Sequence, residues 1–313
     1  MSETPGSSLL NNGKESSLRY GVIGLGRMGT LHLEVLKTLT PKVCVRGISD
    51  TDAKRIRRAK HIHPEARHFS DYKQMLGHVD AVSKILWAGQ GTSTHLHIGH
   101  IERFNPTIVK AKELIARPLF IEVVRSGPYE PRVHDIGVIL DLMIHDLDLI
   151  LWILSDLDVQ LEEYSGQGLS LISPHEDLAK VRLRFKERKA GYPVFVDLTA
   201  NRLSFERLRK MRIFQEESYL SLDLLNHKLR YSKAMRLPLK SLKDITTIKP
   251  KLPATNPLRQ ELQHFIDSIT QSSGHEVHPR EAWDALELAL QLNHSIDRKN
   301  LYSAASPYAA AAR

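Results

Sequence analysis

Three groups of residues in this 313-residue chain have types and spacings that can do chemistry. The first is Gly24-Leu-Gly26-Arg27-Met28-Gly29, led in by the apolar run 20–23 and followed by Leu31, Val35, Leu36 and Leu39 at helical spacing. A dinucleotide pyrophosphate needs this order. Gly24 can take a tight turn, Gly26 lets the backbone approach the phosphates, and Gly29 lets helix and strand pack closely. Arg27 and Met28 then head a helix whose free N–H groups can face the anion. A second apolar run, 43–48, leads to Asp50, whose carboxylate can accept hydrogen bonds from an adenosine ribose. The plain alternative is a glycine-rich strand–helix turn that binds nothing.

The second group lies in 137–154, GVILDLMIHDLDLILWIL. On an α-helix Asp141, His145 and Asp148 fall at i, i+4 and i+7, hence on one face. Nearly every other position is apolar, so the helix should be buried with one polar stripe, and a stripe opening into a cleft is the economical arrangement. A carboxylate beside a histidine can orient the ring and stabilise its protonated form, which suits general-base work. The competing readings are a polar seam satisfied internally and, more weakly, a metal site on the same three residues. Asp146 should point away from the stripe, as a structural or solvent-facing group. The third group spans 94–106, THLHIGHIERFNP. His95 and His97 share one side of a strand, a thin basis for a metal. Glu102, Arg103 and Asn105, just past the strand end, are better placed to meet a ligand.

These groups need elements to hold them. Residues 19–106 alternate strand and helix, the rhythm of a Rossmann-like, doubly wound parallel sheet in an α/β domain. From 107 to 300 the chain turns to alternating runs such as VRLRFKE (181–187), VFVDLTANRL (194–203) and MRIFQEE (211–217), and closes on two helices, Pro257–Thr270 and 279–296. That pattern predicts an α+β domain on an open, mainly antiparallel sheet, and an open face favours a homo-oligomer. Residues 1–18 read as a disordered lead-in and 301–313 as a loose tail.

Composition narrows the class. Hydrophobic residues at 42% and charged residues at 26% suit a globular protein. Cys44 is the only cysteine, which excludes an internal disulfide and a cysteine framework for zinc or iron–sulfur, and fits a reducing cytoplasm. The N-terminus lacks the basic start and apolar core of a secretory signal. The most hydrophobic segment carries Asp141, His145, Asp146 and Asp148, which argues against a membrane span. The net charge of +8 gathers at 54–60, 180–189, 202–212 and 228–251. Such runs can attract nucleic acid or an anionic sugar nucleotide, but solvated faces are the simpler account, and no nucleic-acid recognition motif accompanies them.

GLGRMG at 24–29, GHIERFNP at 99–106 and GVILDLMIHDLDLILW at 137–152 together resemble the glucose–fructose oxidoreductase/inositol dehydrogenase family of NAD(P)-dependent oxidoreductases. GHIERFNP is similar to the branch acting on nucleotide sugars. The resemblance implies a Rossmann domain followed by an open-sheet domain that supplies substrate contacts and oligomer interfaces. It places the family's Asp-x-x-x-His pair on Asp141 and His145, with His145 taking the proton of a sugar hydroxyl as hydride passes to the nicotinamide. Asp50 would favour NAD, with NADP left open. The implied substrate is a sugar or nucleotide sugar, with substrate contacts at Glu102, Arg103, Asn105 and Asp148.

One departure is as informative as the match. The family runs through a further helix and a strand ending in E-K-P before its counterpart of GHIERFNP. Here DAVSKIL (80–86) meets THLHIGHIERF (94–104) across WAGQGTS, and no E-K-P occurs in the chain. Seven residues cannot hold such a crossover. The family's catalytic lysine is therefore absent, and Lys84 lies inside the expected strand. An internal deletion, a reading-frame error, or a domain adapted to binding without turnover would each produce this pattern. The expected function is hydride transfer from a sugar or nucleotide-sugar hydroxyl. The alternatives are a non-catalytic dinucleotide or sugar-nucleotide binder and an unstable remnant.

Overall fold

The computed structural model describes residues 17–83, 95–97, 99–133, 135–270 and 279–301. They divide into two compact units, one reaching to Gly99 and resuming at Leu258, the other from His100 to Pro257 and from Val277 onward.

In the first unit β1 (Leu18–Ile23), β2 (Val43–Ser49), β3 (Arg67–His68), β4 (Ala81–Ser83) and β5 (His95–His97) form a parallel sheet in the order β3-β2-β1-β4-β5. The helices are α1 (Arg27–Lys37), α2 (Ala53–Ile62) and α3 (Tyr72–Leu76). β1 and β2 bury Tyr20, Val22, Val43, Val45 and Ile48, as parallel strands covered on both faces must. α2 starts where the Asp52 side chain accepts the Lys54 N–H at 2.7 Å. Its basic run is solvated, with Ala59 the buried position. A late helix, α6 (Pro257–Thr270), belongs to this unit too. Phe265 meets Tyr20 edge to face at 6.2 Å, Arg259 donates to the Thr38 hydroxyl at 2.7 Å, and Lys42 pairs with Asp267 at 3.2 Å. Lys84 and the residues up to 94, where the E-K-P segment is missing, lie outside the described residues, as do the side chains of His95 and His97.

In the second unit nine described strands form one mixed sheet. They are β6 (Pro118–Ser126), β7 (Val159–Ser170), β8 (Leu178–Glu187), β9 (Pro193–Asn201), β10 (Leu208–Gln215), β11 (Ser218–Asp223), β12 (Lys228–Ala234), β13 (Ile245–Ile248) and β14 (Asp297–Asn300). The order is β13-β12-β11-β10-β6-β9-β8-β7-β14, antiparallel except for the β6–β9 and β7–β14 pairs. β8 shows why one face is covered. Ala179, Val181, Leu183 and Phe185 are buried, while Lys180, Arg182 and Lys186 are exposed. The buried face packs under α5 (Ile144–Leu154) and α7 (Pro279–Ser295). A short helix that the sequence pattern does not announce, α4 (Pro106–Lys112), is capped by Asn105, whose side chain accepts the Thr107 N–H at 3.0 Å.

The single α-helix expected over 137–154 needs correcting. Residues Ile139–Met143 form a π-helical turn that runs into α5. Its start is held from a distance: Val138 N–H donates to the Glu176 carbonyl at 2.9 Å and Ile139 N–H to Glu176 Oε1 at 3.3 Å. Glu176 is buried and sits where a side chain on Gly137 would have to be. Arg202 straps the preceding segment. It donates to the Val133 and Ile136 carbonyls at 2.6 and 3.0 Å and to Asp177 at 2.8 Å.

Gly137→Ala drives a methyl group into the Glu176 carboxylate. It should lower stability by about 1–3 kcal/mol, the usual cost of overpacking. Urea denaturation followed by tryptophan fluorescence checks this; an unchanged midpoint would show that the π turn does not depend on Glu176.

Candidate active site

The glycine turn of the first unit has the conformation that a dinucleotide requires. Gly24 lies at φ +77°, where an L side chain is strained. A Cβ on Gly29 would collide with the Gly24 carbonyl, so helix and strand approach closely there. A Cβ on Gly26 would stand in open space, with Arg55 Nη1 at 4.0 Å as its nearest neighbour. These residues fit a pyrophosphate at the start of α1, where Arg27 and Met28 are exposed. Asp50 braces the turn: one carboxylate oxygen accepts the Leu25 N–H at 2.6 Å and the other the Asp52 N–H at 2.8 Å. Arg55 lies 3.8 Å from the same carboxylate.

The second unit holds a buried ionic cluster. Arg125 on β6 clasps Asp146 with two bonds, Nη2 at 2.6 Å and Nε at 2.8 Å, and reaches Glu102 at 3.3 Å. Arg209 on β10 donates to the same Glu102 oxygen at 2.7 Å, and Asn105 to the other at 3.3 Å. Arg103 clasps Asp148 at 2.5 and 2.9 Å and pairs with Glu281 on α7. His100 Nδ1 lies 3.1 Å from Asp148. Glu102, Arg103, Arg125, Asp146 and Asp148 are all buried. Asp146 is therefore neither solvent-facing nor idle, because its helix is buried nearly all round and a carboxylate turned from one cleft meets another interior partner.

Pairing sets the charge states. Burial alone would raise the Glu102 carboxyl, but Arg125 and Arg209 outweigh it and hold it below the ordinary range. Burial likewise opposes the Asp148 carboxylate, and the contacts from His100 and Arg103 overcome it. At Asp146 burial pushes upward against Arg125, while burial at Arg125 is outweighed by Asp146 and Glu102, which raise the guanidinium. These two directions conflict over one contact. Two bonds of 2.6 and 2.8 Å are those of an ionised pair, and a guanidinium that keeps its proton maintains that state.

The charges of this cluster act on His145. The residue is exposed to solvent by its surface, yet enough protein lies around it for desolvation to act, with the charges of Arg125, Glu102, His100 and Arg209. Crowding pushes its pKa down to about 4, Arg125 adds to the effect, and Glu102 opposes it. The imidazole is then neutral near pH 7 and can accept a proton. Asp141 lies half-buried on the π turn. Asp148 is committed to Arg103 and His100, so Asp141, His145 and Asp148 do not gather around one metal. Among the described residues no three His, Cys, Asp or Glu side chains do.

Of the residues marked by sequence, Glu102, Arg103, Asn105 and Asp148 come together in this cluster. Glu102 carries a charge that acts on His145, while Arg103 and Asp148 are spent on each other. Sequence reasoning missed Arg125, Arg209, His100 and Glu281. Only Arg125 carried a signal, a charge near the end of the mainly apolar run PLFIEVVRS.

Comparison with known proteins agrees with this fold. Residues 18–104 match the model of an oxidoreductase family with an NAD-binding Rossmann fold. The chain is 26% identical over 295 residues to UDP-N-acetylglucosamine 3-dehydrogenase of Acidithiobacillus ferrooxidans, covering 80% of this chain and 88% of that one. A solved structure of that enzyme superposes with a TM-score of 0.76 at 24% identity, over 90% of this chain and 98% of the other. Scyllo-inositol dehydrogenase of Lactobacillus casei, solved with NAD(H) and scyllo-inositol bound, gives 0.69 at 17% identity over 90% and 97%. Among the described residues no helix is long and apolar enough to cross a membrane.

The His145 shift has a consequence for stability. Between pH 6.5 and about 4 the unfolded chain binds a proton at this histidine and the folded chain does not. Stability from this group is therefore full above pH 6.5 and falls as pH drops through that window. The thermal midpoint of the parent protein should fall more steeply across the window than that of His145→Gln. Parallel slopes would refute the assignment. In the same cluster, Arg125→Met leaves Asp146 and Glu102 without their cation and should cost about 3–5 kcal/mol, measured by urea denaturation.

Proposed function

We propose that this protein, whose residues 18–104 match the model of an oxidoreductase family with an NAD-binding Rossmann fold, is a Gfo/Idh/MocA-type NAD-dependent dehydrogenase of a sugar or nucleotide-sugar hydroxyl. The observation that carries the reading is the glycine turn, with Gly24 at φ +77° and open space over Gly26, inside the matched residues. When bound, NAD supplies the hydride acceptor. The chain supplies binding and proton handling. Gly24, Gly26 and Gly29, with Arg27 and Met28 at the head of α1, hold the pyrophosphate. Asp50 keeps the turn in place and meets the adenosine ribose.

In oxidation the carbinol C–H leaves as hydride, the C–O bond becomes a carbonyl, and the hydroxyl proton passes to His145. A neutral imidazole among fixed charges is suited to that step. Asp141, four residues before it, is proposed to orient the ring. Glu102 is proposed to contact substrate, and Arg103, Asn105 and Asp148 to hold the surrounding residues in position. The UDP-N-acetylglucosamine and inositol dehydrogenases among the relatives supply the substrate class. A homo-oligomer in the cytoplasm belongs to the same proposal. It is supported by the uncovered sheet face, where Phe214 is exposed against Phe120 and Tyr219.

A second reading, a binder without turnover, is favoured by one observation: E-K-P is absent from the sequence. One experiment separates the two. Titration with NADH should give saturable binding by fluorescence, weakened at least ~10-fold in Gly26→Val, whose side chain fills the space over the turn. With NAD and UDP-N-acetylglucosamine, nicotinamide absorbance should rise, and His145→Ala should lower kcat by about 10²–10⁴-fold. Absence of NADH binding sinks both readings. Binding without turnover of UDP-N-acetylglucosamine or inositols leaves the binder.

A further inference from the structure

Most of the chain's net charge sits in one short stretch. Residues 228–251 carry eight lysines and arginines against a single acid, Asp244, a net +7 where the whole chain has +8. Other basic runs of the second unit are largely neutralised where they stand. Arg182 pairs with Asp197, Arg184 and Lys186 with Glu162, Arg207 with Glu130, and Arg212 with Glu122. Within 228–251, among the described residues, only Arg236 has such a partner, Asp244 at 2.8 Å.

Large apolar side chains are exposed in the same stretch. The link between β12 and β13 reads MRLPLKSL over 235–242, and Leu242 is 86% exposed, Met235 65% and Leu237 53%. The link is built rather than loose. Asp244 is buried, its Oδ2 accepts the Lys240 and Ser241 N–H groups at 2.9 Å each, and its carbonyl accepts the Met235 N–H at 2.8 Å. The Ser241 side chain caps the single 3₁₀ turn Leu242–Asp244. The one negative charge of the stretch is thus spent on holding the link's backbone. Beside it Lys233, Arg236, Met235, Leu237 and Ile248 line a cavity of about 590 Å³ together with Tyr231.

Three occupants can be compared by chemistry. A second copy related by a two-fold axis would bring this charge against itself. The cavity also opens on the other face of the sheet from Phe214: the pairs Phe214–Tyr219 and Tyr219–Ser232 put Phe214 on the side of Ser232, and Tyr231 points the opposite way. Nucleic acid would meet the lysines and leave the leucines and methionine in water. An anionic bilayer takes both, because its headgroups attract the cations and its acyl boundary accepts apolar side chains.

We propose that the 235–243 link and its basic flanks form a docking surface for an anionic lipid bilayer. Met235, Leu237 and Leu242 enter the boundary between headgroups and acyl chains, and Lys233, Lys240, Lys243 and Lys249 meet the headgroup phosphates and carboxylates.

The test is sedimentation of the full chain with vesicles, without cofactor or substrate, so its outcome stands apart from the dehydrogenase reading. Affinity for vesicles of equal parts phosphatidylserine and phosphatidylcholine should exceed that for phosphatidylcholine alone at least ~10-fold, and should fall as salt rises. Lys240→Gln combined with Lys243→Gln should weaken binding to the mixed vesicles at least ~10-fold, and Leu242→Ser at least ~5-fold. The three side chains are exposed, so both variants should keep the parent's thermal midpoint. No binding to the mixed vesicles overturns the proposal. So does binding that Leu242→Ser leaves unchanged, which is how a patch that attracts any polyanion, nucleic acid included, would behave. A parent oligomer that Leu242→Ser dissociates, read by light scattering, would show the link covered by another copy and overturns it as well.

Discussion

Charge inside the second unit has to be paired, and much of its architecture answers to that requirement. Glu102, Arg103, Arg125, Asp146 and Asp148 are withdrawn from water together. Any one of them left alone would cost several kcal/mol. The solution is two bidentate arginine–carboxylate clasps, one from β6 and one from the turn Ile101–Phe104, that grip α5 at Asp146 and Asp148. His145 is the residue next to one gripped position and three from the other, so its backbone has little freedom. An apolar cluster of the same volume could be as stable or more so. What the ionic one supplies is orientation, since a planar fork accepts a carboxylate in few geometries.

The legible parts of the chain were those whose causes lie nearby in sequence. The glycine turn announced itself because conformation and spacing are both local, and α6 was readable to the residue because Pro257 opens an amphipathic run. The alternation in β8 named its buried face without reference to any partner. Other features were hidden because their causes are remote. The π turn depends on Glu176, which no helical wheel contains. Asp146 read as structural or solvent-facing; the first of these is what the fold makes of it, through Arg125 on a strand 21 residues earlier that no local pattern could name. His100 lay in full view within GHIERFNP and carried no signal until Asp148 was folded against it. Asp50 was chosen for a ribose. Its place in the fold also makes it a brace for the loop that would carry the phosphates.

The two units solve burial differently. The parallel sheet is covered on both sides and needs helices for each face, whereas the large mixed sheet covers one face and leaves the other to alternating charged and aromatic residues. The basic runs, for which solvated faces were the simpler account, divide into solvated positions such as those on α2 and structural ones such as Arg202, which ties a loop.

The return of α6 to the first unit carries an implication for how such a gene can change. Because Phe265, Arg259 and Asp267 complete a domain whose remaining described strands end at β5, that domain is not one uninterrupted stretch of coding sequence. A single recombination crossover anywhere between them would deliver the sheet without its last helix. Exchange of the nucleotide-binding unit between relatives therefore requires two breakpoints, and lineages of this architecture should inherit their two halves together.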